Sequence, residues 1–133
     1  MRALIRRAGP LILAIVLTIA TASCECKAIL ATIRTDPADL TFSIAGGGGL
    51  CGDTAFIGTI EVYRGPTFEH IWQVEFDGKE APALRTLTYG RVPPGFVEKK
   101  AAAPLAAGDD VYVNVYGPGY RGKIHVVIGK PAP

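Results

Sequence analysis

Three cysteines, two histidines and a scatter of carboxylates are the residues of this chain best suited to chemistry. Cys24 and Cys26 stand one residue apart in TASCEC, and Cys51 follows a glycine run in GGGGLCG. Zinc sites use C-x2-C or wider pairs so that both thiolates converge on one ion, so C-x-C with one distant Cys fits zinc poorly. Soft thiolates suit Cu(I) better, but the arrangement does not carry a metal assignment, and none is expected. Gly47 to Gly52 formally satisfies G-x-G-x-x-G. That motif binds pyrophosphate through the N-terminus of a following helix, whereas DTAFIGTIEV reads as a strand, so no nucleotide cofactor is expected.

Nucleophilic catalysis has little to work with. Past Ser23 the single serine is Ser43, inside an alternating strand-like run with no G-x-S-x-G around it, and the histidines are His70 and His125. Glu61, Glu69, Glu75 and Asp77 supply carboxylates, but paired-carboxylate hydrolysis needs two of them across a cleft at a defined separation. No catalytic residue is assigned. The rival reading, an enzyme or enzyme inhibitor using loop carboxylates with Glu69 or His70, is kept as the alternative.

The stretch Tyr89-Gly90-Arg91-Val92-Pro93-Pro94-Gly95-Phe96 suits recognition better than catalysis. Two glycines bracket a stiff Pro-Pro unit, so Arg91 and Phe96 would be presented with little entropy to lose on binding. Tyr116, Tyr120 and Arg121 would join them in one aromatic and basic surface if both loops lie at one end of the fold. The competing reading has Tyr89 and Phe96 covering the edge of the core while Pro93 and Pro94 guard an edge strand, and it is favoured.

The elements that must position these residues are strands. Leu40, Phe42 and Ile44 alternate with polar neighbours, as do Phe56, Gly58, Ile60 and Val62 with Ile57, Thr59, Glu61 and Tyr63. Trp72, Val74 and Phe76 oppose Ile71, Gln73 and Glu75; Val111, Val113 and Val115 oppose Tyr112, Asn114 and Tyr116; and Ile124, Val126 and Ile128 complete the set. Period two with one apolar face predicts half-buried strands. Gly65-Pro66, Asp77-Gly78 and Gly117-Pro118-Gly119 provide turns between them. KKAAAPLAAG is broken by Pro104 and predicts a helical turn or extended crossover. The expectation is all-β: a single antiparallel β-sandwich of immunoglobulin-like type, with a small β-barrel as the alternative. Leu105, Gly108 and Val111, Val113 and Val115 resemble the turn into the penultimate strand of fibronectin type III domains. That family usually has Tyr at the place of Val111; here Tyr112 comes one residue later and faces the other side.

The chain's start reads as a targeting segment. Arg2, Arg6 and Arg7 precede LILAIVLTIA, and small residues lead to Cys24; the uncharged run from Ala8 to Cys24 is 17 residues, short of the roughly 20 that cross a bilayer. Setting those three arginines aside takes 14 basic residues to 11 against 12 acidic, a net of about −1 without long charge runs. Nucleic acid is therefore not an expected partner, and neither is an anionic lipid surface.

Ala20-Thr21-Ala22-Ser23-Cys24 resembles the lipobox of bacterial lipoproteins, with Thr21 where that family most often has Leu. The resemblance implies cleavage before Cys24 and acylation of that residue, and hence a protein held at the bacterial cell membrane by covalent lipid. Glu25, in place of an Asp retention signal, leans the placement toward the outer membrane, with the domain facing the periplasm or exterior. Ordinary cleavage after Ala22 competes and would leave three cysteines. If Cys24 is acylated, Cys26 and Cys51 form an even pair in an oxidising compartment, which favours a disulfide. The organisation expected is a lipoprotein signal at 1–23, an anchored tether at 24–38, a β-sandwich at 39–130 and a tail at 131–133. The expected function is a non-enzymatic binding or assembly module contacting another envelope protein or a saccharide.

Overall fold

The structure, a computed structural model, describes residues 25–129. The signal segment, Cys24 and the 131–133 tail lie outside the described residues. The strands are β1 (Cys26–Asp36), β2 (Asp39–Gly46), β3 (Thr59–Arg64), β4 (Glu69–Phe76), β5 (Thr86–Thr88), β6 (Phe96–Lys100), β7 (Asp110–Gly117) and β8 (Tyr120–Val127), with a single 3-10 turn at Gly49–Cys51. They form one mixed sheet in the order β5-β2-β1-β8-β7-β3-β4-β6, curled into a half-barrel. All pairings are antiparallel except β1 with β8, which is parallel through Cys26 opposite Tyr120 and Lys27 opposite Arg121. The expected purely antiparallel arrangement is corrected at that junction, where the first and last strands meet.

The inner face carries the alternating apolar residues. Leu40, Phe42 and Ile44 of β2, Ile60 and Val62 of β3, Trp72 and Val74 of β4, Val111, Val113 and Val115 of β7, and Val126 of β8 form one buried cluster with Ile57, Ile71 and Ile128. Strictly alternating valines make β7 the central plank, buried at every second residue. Trp72 is fully enclosed, and its indole N–H donates to Glu98 Oε2 at 2.9 Å. Such a partner is what lets a Trp sit in a core without an unmet donor.

Three sequence expectations change. The segment expected as a tether is strand β1, paired along its length with β2. Ile29 falls on its outward side and is half exposed, and a bulge between Thr32 and Arg34 breaks period two at Ile33, which is half exposed as well. β3 begins at Thr59, so Phe56 is outside it and exposed while Ile57 is buried, the reverse of the alternation. Here the chain crosses Gly117 so closely that a Cβ at that position would overlap the Phe56 carbonyl oxygen. In β4, a register shift opposite Val62 and Tyr63 turns Ile71 inward beside Trp72 instead of opposite it. In KKAAAPLAAG the two lysines end β6 and the rest is an extended crossover, with Ala103 and Leu105 leaning on the core.

Cys26 and Cys51 form a disulfide that closes a span of 25 residues. It joins the start of β1 to the 3-10 turn after β2, next to Tyr120, whose hydroxyl donates to the Cys51 carbonyl oxygen.

Candidate functional site

The loop surface expected from Tyr89 to Phe96 with Tyr120 and Arg121 is not assembled in one place. Thr88 pairs with Thr41, and Tyr89 N–H donates to Leu40 O, so Tyr89 and Arg91 lie toward the β1-β2 hairpin end. Arg91 also lies near Asp39, whose carboxyl is held below the usual range by Arg34 and the Thr41 hydroxyl, with Arg91 adding to the effect. Tyr120 and Arg121 pair with Cys26 and Lys27 at the other end of β1.

Pro93 and Pro94 carry the chain between these ends to Phe96, which is buried against Phe76 with ring centroids 5.6 Å apart. Tyr89 packs edge-on to Trp72 at 5.3 Å, and its hydroxyl donates to Ala103 O at 2.7 Å. Burial pushes that phenol up to about 12. Tyr89 and Phe96 therefore close the core edge, and the 89–95 segment links the two edge strands β5 and β6.

The register builds a different surface on the outer face of β4-β3-β7-β8. His70, Tyr63, Tyr112 and His125 occupy one cross-strand row. His70 and Tyr63 stack at 4.9 Å and 22°, and Tyr112 and His125 at 4.4 Å and 11°. Phe68, 59% exposed in the β3-β4 turn, adds a ring 4.8 Å from Tyr112. Two polar rows continue the face: Gln73, Glu61, Asn114 and Lys123, then Glu75, Thr59, Tyr116 and Arg121.

The face is internally braced. Tyr63 donates to Glu61 Oε2 at 3.0 Å, and partial burial together with that carboxylate raises the Tyr63 phenol above its ordinary range. Gln73 donates to Glu75 at 2.9 Å, and the Arg121 guanidinium sits 5.7 Å from the Tyr116 ring centre. His125 Nε2 lies 2.9 Å from Asp110 Oδ1. Rigid rings with polar rims give contact area with little rotamer entropy to lose, and the amide and carboxylate rows give direction.

Of the residues kept for catalysis, Glu69 is bound to Arg64 at 3.0 Å, and His70 Nε2 is buried without a hydrogen-bond partner. Among the described residues no three His, Cys, Asp or Glu side chains gather in a metal-binding group, and no helix is long and apolar enough to cross a membrane. Sequence reasoning missed Phe68, Tyr63, Tyr112 and His125 as a group. The available signal was aromatic residues at the polar positions of alternating strands, but only the register shows that they share a row. No family model, curated protein or solved structure matches the chain.

Proposed function

We propose that this chain is a bacterial envelope lipoprotein, acylated at Cys24, whose β domain is a non-enzymatic recognition module. The observation that carries the recognition reading is the cross-strand row His70, Tyr63, Tyr112 and His125 on an outward sheet face. A row of rings backed by fixed amides and carboxylates suits the mixed apolar and hydroxyl surface of a saccharide or the side chains of another envelope protein. Acylation is supported by cysteine count: the bridge occupies Cys26 and Cys51, leaving Cys24 as the third. The fold fits an immunoglobulin-like sandwich in its strand order, since β5-β2-β1 and β8-β7-β3-β4 follow the E-B-A and G-F-C-C′ neighbours of that class.

The test pairs two measurements on membrane-extracted protein. Intact mass should show a chain beginning at Cys24 with added acyl groups; an unmodified chain starting at Ser23 sinks the anchor. Capture from solubilised envelope, and binding to soluble cell-wall glycans, should be lost in Tyr63→Ala/Tyr112→Ala while the fold persists. Unchanged capture and glycan binding in that variant sink the recognition face.

The unpartnered Nε2 of His70 favours one second reading, an enzyme or inhibitor centred there. An activity lost in His70→Gln but kept in Tyr112→Ala would select it over the binding module.

A further inference from the structure

The end of the domain that bears the disulfide has two features outside the aromatic row itself. The first is Leu50, fully exposed at the tip of the 3-10 turn. Gly48, Gly49 and Gly52 adopt φ of 77°, 60° and 73°, which other residues reach only with strain. Gly48 N–H donates to Gly52 O at 2.9 Å, and Cys51 N–H to Gly48 O at 3.2 Å. The turn therefore displays Leu50 from a closed, hydrogen-bonded frame tied covalently to β1, and no side chain among the described residues covers it.

The second is a cleft of about 670 Å³ between β1 and the outer face of β8 and β7. Lys27, Arg121 and Lys123 line it with Ile29 and Tyr116, and Glu25 is its one carboxylate. None of the three cations is ion-paired among the described residues, whereas Arg34 and Arg64, toward the opposite end, both are. Three cations against one carboxylate give the cleft a positive field that the near-neutral chain as a whole lacks. Asp53 stands near the base of the Leu50 turn; Asp77 and Glu80 follow β4, three strand positions beyond β8.

Both features sit where the described chain begins. Glu25, the first described residue, lines the cleft, and Cys24 precedes it directly. Against the expectation drawn from net charge, we infer that this end of the domain seats on the anionic phospholipid surface holding the anchor, with Leu50 entering the acyl boundary and Lys27, Arg121 and Lys123 meeting lipid phosphates. The inference rests on the acylation of Cys24 proposed above. An apolar tip flanked by basic residues is the combination that interfacial binding uses, and the anchor supplies a high local concentration of headgroups. Seating at this end engages Arg121 and Lys123 at the ends of the two polar rows and leaves the aromatic row His70, Tyr63, Tyr112 and His125, further along the strands, open to partners.

The test uses full-length, membrane-extracted protein in nanodiscs of phosphatidylcholine alone or with one part in three phosphatidylglycerol. A Leu50→Trp variant reports depth through quenching by lipid spin labels, against wild type, whose Trp72 is enclosed in the core. The expected result is at least about two-fold stronger quenching of the variant than of wild type. Quenching should deepen in the anionic discs, and the gain should vanish on adding Lys27→Glu and Lys123→Glu. Quenching equal to wild type in protein whose mass shows acyl chains overturns the inference and leaves the anchor standing. Quenching indifferent to phosphatidylglycerol and to charge reversal overturns the assignment of the cations. A mass without acyl chains overturns the anchor and this inference together.

Discussion

Replacing Tyr89 with Phe removes one oxygen and tests how the crossover and the core edge are joined. The hydroxyl bonds Ala103 O at 2.7 Å, with Ile71 O at 3.2 Å, and the ring packs edge-on against Trp72. Losing the bond from a half-buried site should cost about 1 kcal/mol at neutral pH. That lowers the midpoint by about 4–8 °C for a domain of this size.

The pH dependence gives the sharper test. The folded phenol is pushed up to about 12, against about 10 unfolded. Below pH 10 both states keep the proton and the contribution is complete. Between pH 10 and 12 the unfolded chain releases a proton that the folded chain retains, so stability falls as pH rises. Two units correspond to at most about 2.7 kcal/mol; with the ring partly exposed to solvent screening, about 1–2 kcal/mol is a fair expectation.

Tyr63 is also raised and weakens both proteins alike, so the difference between wild type and Tyr89→Phe isolates Tyr89. Urea unfolding followed by the chain's single tryptophan, from pH 8 to 12, reads it directly. The variant should start about 1 kcal/mol less stable and close the gap above pH 10. A gap of zero at pH 8, or one that stays constant to pH 12, refutes the reasoning.

Two further perturbations probe the fold. Cys26→Ala/Cys51→Ala opens a 25-residue span and should lose about 3–4 kcal/mol in denaturant titrations, with reductant destabilising wild type but not the variant. Gly117→Ala places a methyl on the Phe56 carbonyl and should cost about 1–3 kcal/mol or more; a midpoint within a degree of wild type would show that the crossing relaxes freely.

How far the sequence could be read depended on whether a residue's neighbours along the chain decide its environment. Val111, Val113 and Val115 alternate without interruption and are all buried, and Leu40, Phe42 and Ile44 behave alike. Turn residues and the pairing of Cys26 with Cys51 also carried through to the structure. β1 was not legible, because Ile29 and Ile33 are apolar yet exposed and one of its two partners, β8, is far away in sequence. Ile71 reads as a polar-side position until a one-residue register shift turns it inward. The aromatic row and the basic cleft are properties of register: Lys27 lies more than ninety residues before Arg121, and only the parallel pairing sets them side by side.

That same junction decides how the domain carries mechanical load. A pull from the N-terminal side of Cys26 meets a covalent link to Cys51 at the same residue whose N–H bonds Gly119 O, before it reaches the ladder of β1 with β2. The force passes into the end of β2 and, through the Tyr120 hydroxyl at Cys51, into β8. β1 thus lies behind a clamp, and its ladder with β2 is not peeled open residue by residue from that end.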